Sequence, residues 1–276
     1  MSIVHAIVLG LVQGFSEFLP ISSSGHLLLT RWLFGWETIG DESVEKAFDV
    51  ALHLGTLVAV VAYFRTDLVK YFREGIRLLW HRERPVDTDG RIAWLLLLAT
   101  VPAALVGALL ESEIDKRLGK PAIIAVSLIV FGMLLWWADR QTGSRSVQKF
   151  GTRDALIIGA AQALALNPGT SRSGITMTAA RQIGFDRDSA ARLSFLMSVP
   201  VIAGAVVLKV GKLFLDGFPD GLLTPMIVGV VTSFLSGWVA VWGTLRLVRT
   251  HSFMPFVVYR VGLGVVVLVV IWAGWR

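Results

Sequence analysis

Two short polar stretches interrupt an otherwise apolar chain, and each places serines and glycines beside an ionisable side chain. The first, QGFSEFLPISSSGH from Gln13, contains Glu17 and His26, and the second, NPGTSRSG, contains Arg172. A Gly/Ser-rich break that leads into a helix offers backbone N–H groups and hydroxyls to an anion, and arginine adds a planar cation suited to phosphate. Together the two stretches predict a phosphate site.

The first stretch also holds groups suited to acid–base, nucleophilic or metal chemistry. Glu17 lies four residues after Gln13, so both side chains face one side of a helix, where their oxygens are hard ligands for Mg²⁺ or Ca²⁺. A desolvated Glu17 is equally a candidate general base, and a serine needs such a base, Glu17 or His26, before it can attack. The spacing does not decide which serine attacks.

The elements that position these groups are membrane helices. The chain is 54% hydrophobic and 17% charged, whereas soluble domains average roughly 45–50% and 25%. Its ten tryptophans include several at the ends of apolar runs, where interfacial aromatic belts lie. Five apolar runs approach or reach the ~20 residues that cross a bilayer, namely 92–110, 121–138, 193–208, 225–245 and 255–275.

Each ionisable group also has a structural interpretation. Glu17 could bond the following turn, a serine could cap a helix, and His26 could be a satisfied core residue. Arg172 could snorkel or pair with an acid. Because charges inside a membrane are costly and usually functional, we favour functional roles for these residues. Asp49 and His53 form another i, i+4 pair, which a shared cavity and an intrahelical pair explain about equally well.

The basic residues cluster in loops, and this clustering predicts topology. Segment 65–91 carries seven Lys/Arg and 139–153 carries four, whereas the three in 111–120 are offset by three acids. The positive-inside rule therefore places 65–91 and 139–153 in the cytoplasm and 111–120 outside. The net charge of +6 is explained by these loops. We therefore expect the bilayer as a partner and no nucleic acid.

The two polar stretches are also copies of one another. From Gly10 the chain reads GLVQGFSEFLPISSSG, and from Gly159 it reads GAAQALALNPGTSRSG. The predicted topology inserts these copies from opposite sides of the membrane. Broken helices of such repeats meet near the midplane, with their N-termini aimed at an anionic group.

The sequence therefore predicts an all-α polytopic membrane protein in a single integral membrane domain, 1–276. We expect about six transmembrane helices plus two re-entrant helix–loop–helix segments in an inverted-topology repeat. The predicted parts are repeat one at about 1–138 with its re-entrant segment at 1–47, a cytoplasmic linker at 139–153, and repeat two at about 154–276 with its re-entrant segment at 154–192.

The two polar stretches resemble the signature motifs of the bacterial undecaprenyl-diphosphatases of the bacitracin-resistance type. In that family the first motif runs Glu/Gln, three residues, Glu, Phe-Leu-Pro, then Ser-Ser-Ser/Thr-Gly-His, and the second reads Pro-Gly-x-Ser-Arg-Ser-Gly. The resemblance runs the whole chain. It implies removal of the terminal phosphate from undecaprenyl diphosphate, which recycles the carrier lipid for peptidoglycan synthesis and gives bacitracin resistance. It also implies the bacterial plasma (inner) membrane as location.

The resemblance implies site residues by position. The catalytic residues would be Glu17, Ser23, His26 and Arg172. The phosphate-binding residues would be Ser22, Ser24, Gly25, Thr170, Ser171, Ser173 and Gly174. A divalent cation, Mg²⁺ or Ca²⁺, is expected, with Glu17 and Gln13 as candidate ligands. Gln13 stands where many members have a glutamate, so a metal held by two carboxylates is in doubt. As a separate departure, His53 stands where many members have a glutamine.

Our hypothesis is that Ser23 attacks the terminal phosphorus, with His26 as base or acid, while Glu17 orients His26 or holds the metal. Arg172 would bind the phosphoryl group, and the site would open to the outer side. The rival function is a transporter or flippase of polyprenyl phosphate or another anion, since inverted repeats are typical of transporters. A non-catalytic lipid-binding scaffold would leave Arg172 unexplained. The sequence leaves a homodimer open.

Overall fold

The computed structural model describes residues 1–36, 42–80, 88–216 and 221–275, and its regular structure is helical. Residues 37–41 of the predicted first re-entrant segment therefore lie outside the described residues. Two short 3₁₀ helices occur at Val147–Lys149 and Leu164–Leu166. The α-helices are α1 (Ile3–Phe18), α2 (Ser23–Phe34), α3 (Glu42–Tyr63), α4 (Arg65–Trp80), α5 (Thr88–Leu118), α6 (Pro121–Asp139), α7 (Thr152–Ala163), α8 (Arg172–Gln182), α9 (Arg187–Asp216), α10 (Leu223–Val248) and α11 (Met254–Trp272).

Five of the described helices are long and apolar enough to cross a membrane. They are α6, α10 and α11 together with Thr88–Leu110 of α5 and Arg187–Leu208 of α9. A sixth span results if Ala47–Tyr63 and α4 are counted as one pair, which is bent by 81°. The predicted fold class, an all-α polytopic membrane protein with about six spans, is confirmed.

Both polar stretches form a break between two helices. Helix α1 ends at Phe18 because Leu19 precedes a proline and adopts an extended conformation. Ser22 then starts α2 as its N-cap, with φ 80°, and Ser171 starts α8 in the same way, with φ 75°. They are the only described residues other than glycine with positive φ. A left-handed conformation strains a serine, so the two breaks share one unusual backbone geometry.

Glycines at matching repeat positions let each broken segment pack against a helix of the other half of the chain. Helix α1 packs along α10 and α7 packs along α5. An ideal Cβ on Gly10 would lie 2.6 Å from the Gly229 carbonyl oxygen, and one on Gly159 would lie 2.5 Å from that of Ala99. Small residues permit such close helix contacts in membranes. The two contacts hold each broken segment against a spanning helix.

Helix α11 is fixed at its N-terminus by a buried acid on α6. The Asp139 carboxylate accepts a hydrogen bond from the Phe253 N–H (2.9 Å) and another from Arg187 Nε (2.6 Å). This junction joins the end of α6 to the starts of α9 and α11. Helix α11 also packs along α6. These contacts fix the position of α11 relative to the two breaks.

Candidate active site

The two breaks are in direct contact and exchange hydrogen bonds. Ser22 Oγ accepts a bond from the Gly169 N–H in the second break (3.0 Å), and Ser173 Oγ donates to the Leu19 carbonyl in the first (3.0 Å). Gly25 permits this approach, because an ideal Cβ there would lie 3.2 Å from the Gly169 nitrogen. The starts of α2 and α8 are therefore neighbours.

Arg260 of α11 joins the two breaks through hydrogen bonds to their backbones. Its guanidinium donates to the carbonyls of Pro20, Gly169 and Thr170, each at 2.9 Å, and its Nε donates to the Leu128 carbonyl at 3.2 Å. The side chain is fully buried. All these acceptors are backbone oxygens, so the cation holds the two turns together through their main chains.

Glu17 is the centre of the side-chain network. Its Oε1 accepts a hydrogen bond from Arg172 at 2.8 Å. Its Oε2 accepts bonds from Ser23 Oγ at 2.7 Å and from Gln13 Nε2 at 3.1 Å, and lies 3.5 Å from His53 Nε2. The residue is buried, with 6% of its surface exposed. The carboxylate is thus bonded both to a candidate nucleophile and to the cation of the other break.

Arg172 is oriented by two partners on opposite sides. Besides Glu17, it donates to the Ser194 carbonyl on α9 at 2.7 Å. Ser194 Oγ in turn accepts a hydrogen bond from Thr176 at 2.8 Å. A guanidinium has five N–H donors, so further donors remain for an anion. Arg172 therefore pairs with Glu17, as its structural interpretation predicts. The pair does not exclude phosphate binding by Arg172, its predicted functional role.

His26 lies apart from Glu17 in this network. Its Nδ1 is 2.7 Å from the Ser22 carbonyl, and its Nε2 is 2.8 Å from the hydroxyl of Tyr259. The two rings are stacked with centroids 5.6 Å apart. Among the described residues, neither Glu17 nor Ser23 is bonded to His26. Glu17 therefore bonds Ser23 itself, and the expectation that it orients His26 is corrected.

Asp49 is not part of the network around Glu17. Its two carboxylate oxygens pair with the guanidinium of Arg31, at 2.9 and 2.5 Å, and Arg31 also pairs with Glu45 at 3.0 Å. His53, one turn later, does reach the site and places Nδ1 2.8 Å from the Asp49 carbonyl. Of this i, i+4 pair, only the histidine faces Glu17.

Most hydroxyls of the predicted phosphate-binding residues are already engaged. Ser22 caps α2 and bonds the opposite break, while Ser171 bonds the Gly174 N–H at 3.0 Å and Ser173 Oγ at 3.1 Å. Thr170 accepts from the Asn167 side chain at 3.0 Å. These side chains are buried. Their hydroxyls shape the two breaks rather than face open space.

Backbone donors at the two helix starts are free. Within the described part of the chain, no acceptor is found for the N–H groups of Ser23, Ser24, Arg172 and Ser173. Ser24 is exposed and Ser23 is partly exposed. Two helix N-termini with free N–H groups, beside a guanidinium and a serine hydroxyl, are suited to binding an anion. In a phosphate site at this place, the donors would be mainly these main-chain N–H groups and Arg172.

The predicted metal ligands fit a cation that is shared with substrate. Gln13 Oε1 is buried without a hydrogen-bond partner, and the same amide bonds Glu17 through its nitrogen. The described residues contain no group of three or more His, Asp or Glu that could hold a metal. Mg²⁺ is commonly held by one or two carboxylates plus substrate phosphates. Gln13 and Glu17 therefore suit a substrate-completed site but not one made by protein alone.

Comparison with known proteins agrees with this geometry. A family model described as "Bacitracin resistance protein BacA" matches residues 6–266. The chain belongs to this BacA family. The undecaprenyl-diphosphatase of Geobacter sulfurreducens is 46% identical over 99% of this chain and 100% of its own length. The undecaprenyl-diphosphatases of Moorella thermoacetica (44%, 99% of each chain) and Elusimicrobium minutum (44%, 98% of each chain) are similarly related.

The BacA family match extends from the start of α1 to the middle of α11. It therefore includes both breaks, Glu17, Arg172 and also two residues that sequence reasoning missed, Tyr259 and Arg260. Both residues lie in 255–275, which the sequence indicates only as an apolar run. Arg260 could have been identified from the sequence, because an arginine inside a spanning segment is rare and usually faces the bundle interior.

Proposed function

We propose that this chain hydrolyses undecaprenyl diphosphate to undecaprenyl phosphate and inorganic phosphate. Relatives named undecaprenyl-diphosphatase match it over nearly its full length. The observation that carries the proposal is the convergence on Glu17, whose carboxylate is bonded to Ser23 Oγ at 2.7 Å and to Arg172 at 2.8 Å. A serine activated by a base, next to a cation and free N–H groups, is suited to phosphoryl transfer.

In the first step Ser23 Oγ attacks the terminal phosphorus and transfers its proton to Glu17 Oε2. The new bond joins Ser23 to phosphorus, and the bond to the bridging oxygen breaks, so undecaprenyl phosphate leaves. The negative charge on the transferring phosphoryl group is stabilised by Arg172 and by the free N–H groups at the starts of α2 and α8. Glu17 is placed for this role because its bond to Ser23 already exists.

In the second step water attacks the phosphorus on Ser23. The proton of that water passes to the His26 side chain, the Ser23–phosphorus bond breaks, and Glu17 returns its proton to the serine oxygen. His26 then releases its proton to solvent. Inorganic phosphate is then released. This assignment separates the two bases, Glu17 for the serine and His26 for water, in keeping with the absence of a bond between them.

A divalent cation fits the same site. Mg²⁺ or Ca²⁺ would be held by Gln13 Oε1, Glu17 and diphosphate oxygens, where it would neutralise part of the substrate charge.

The chain is a multi-pass membrane protein, and we propose that it lies in the bacterial plasma (inner) membrane with its site open to the outer side. Support for this orientation comes from the basic segments 65–91 and 139–153. The isoprenoid tail would remain in lipid while the diphosphate enters between the two breaks. We place no second copy in the mechanism, because every residue used above comes from one chain.

The test is phosphate release from undecaprenyl diphosphate by the detergent-purified protein, with and without EDTA. We expect release by the parent and a fall on the order of 100- to 1,000-fold for Arg172→Ala, since a preorganised donor to the transition state is lost. Arg153→Ala is the matched control, because Arg153 is exposed and lies outside the site. A folded parent that binds the lipid but releases no phosphate would refute the proposal and favour a transporter.

A further inference from the structure

The Tyr259 hydroxyl is the only described side-chain group bonded to the His26 ring, and its position defines what His26 can do. Nδ1 of His26 lies 2.7 Å from the Ser22 carbonyl oxygen, which can only accept a hydrogen bond. Nδ1 therefore carries the proton. In the neutral ring Nε2 is then the basic atom, and it accepts a hydrogen bond from the Tyr259 hydroxyl at 2.8 Å.

Tyr259 is itself held firmly beside the site. The next residue, Arg260, donates hydrogen bonds to the Pro20 and Gly169 carbonyls, so α11 cannot slide relative to the two breaks without losing them. The tyrosine ring also stacks on the imidazole with an interplanar angle of 13°. Ring and hydroxyl thus fix both the plane of His26 and the direction of Nε2.

Tyr259 is 46% exposed, whereas most polar groups of the breaks are buried. The lone pair of His26 Nε2 is occupied by the hydrogen bond from the Tyr259 hydroxyl. A proton from water therefore reaches Nε2 through that hydroxyl.

We propose that Tyr259 is a proton-relay residue of the phosphatase reaction: its hydroxyl passes its proton to His26 Nε2 while its oxygen accepts the proton of the attacking water. This inference rests on the proposed function and deepens it. The Tyr259 hydroxyl is restored at the end of the step, and the proton stays on His26 until it is released to solvent. The relay therefore depends on His26 as the final acceptor.

Tyr259→Phe removes one hydroxyl and retains the ring that stacks on His26. We expect kcat for phosphate release to fall at least about fivefold, because the hydroxyl that carries the proton to His26 is lost, with KM within about twofold of the parent. Tyr63→Phe is the matched control, because the Tyr63 ring packs against Phe64 and Trp238 and not against His26. It should retain parental kcat and KM.

A double-mutant cycle separates the proton relay from a general structural role. Tyr259→Phe should have no further effect in a His26→Ala background, measured as residual phosphate release at high enzyme concentration. An equal fall in both backgrounds would overturn the inference, as would an unchanged kcat for Tyr259→Phe or a rise in KM alone. If His26→Ala releases nothing measurable, the kcat and KM of Tyr259→Phe decide.

The two proposals fail in distinguishable ways. A parent protein that releases no phosphate refutes the proposed function and, with it, the role of Tyr259. An active parent with normal kcat for Tyr259→Phe refutes only the role of Tyr259. A thermal-unfolding midpoint for Tyr259→Phe close to that of the parent shows that any lost turnover is not lost folding.

Discussion

Replacing Glu17 by glutamine removes a negative charge from the centre of the site while keeping the length of the side chain. In the parent, Glu17 Oε2 accepts the Ser23 hydroxyl at 2.7 Å and Oε1 accepts Arg172 at 2.8 Å. An amide has one acceptor oxygen and cannot take the serine proton. Removing a general base typically costs 10²- to 10⁴-fold. We expect kcat of Glu17→Gln to fall by about 100-fold or more.

The same substitution has a calculable effect on stability. Three charge-assisted hydrogen bonds are weakened, those from Arg172, Ser23 and Gln13, and such bonds contribute about 1.5–3 kcal/mol each. The amide oxygen has two lone pairs and can still accept two of them. We therefore expect a loss of about 1.5–3 kcal/mol in total. A loss of this size leaves the protein largely folded. The fall in kcat would then reflect chemistry.

The assay is phosphate release together with thermal unfolding of the same preparations. Glu113→Gln is the control, because Glu113 is 54% exposed and pairs with Arg117 at the surface of α5. We expect it to match the parent in both measurements. If Glu17→Gln kept more than a tenth of parental kcat while remaining folded, Glu17 would not be the base for Ser23.

Three further predictions concern the nucleophile, the packing and the metal. Ser23→Ala should lower kcat at least about 100-fold and abolish any phosphorylated enzyme trapped by acid; near-normal turnover would make water the direct attacker. Gly159→Ala should destabilise by about 1–3 kcal/mol, because its Cβ would meet the Ala99 carbonyl, whereas Gly243→Ala, with open space, should not. Gln13→Glu should lower the Mg²⁺ concentration for half-maximal activity, because a second carboxylate is added; an unchanged requirement would remove Gln13 from the metal site.

The residues that the sequence could identify are those marked by type and local spacing. Glu17, Ser23 and Arg172 stand out as polar groups in apolar surroundings, and the structure brings them together. The class of fold follows from composition and run length, because a bilayer restricts the chain to helices of a known length. These signals are local, so they can be detected in a single sequence.

The contacts that could not be predicted depend on tertiary distance. Ser23 lies six residues after Glu17, across a helix break, and whether its hydroxyl reaches the carboxylate depends on the left-handed backbone at Ser22. Tyr259 meets His26 from 233 residues away. Its helix is apolar along most of its length, and no periodic pattern in α11 indicates which side would face the breaks. Sequence reasoning therefore singled out Glu17, took Ser23 from the family resemblance, and did not predict the partner of the histidine.

Ser22 and Ser171 show why both breaks retain a strained serine where glycine would adopt positive φ at no steric cost. A left-handed residue costs roughly 1–2 kcal/mol, yet each hydroxyl caps a helix, and Ser22 also bonds the opposite break. Glycine would relieve the strain and lose those bonds. The residues that follow occupy equivalent repeat positions but differ in chemistry, since Ser23 is the proposed nucleophile and Arg172 the proposed cation. Matching backbones thus direct two different side chains to one carboxylate, which a repeat of identical side chains could not do.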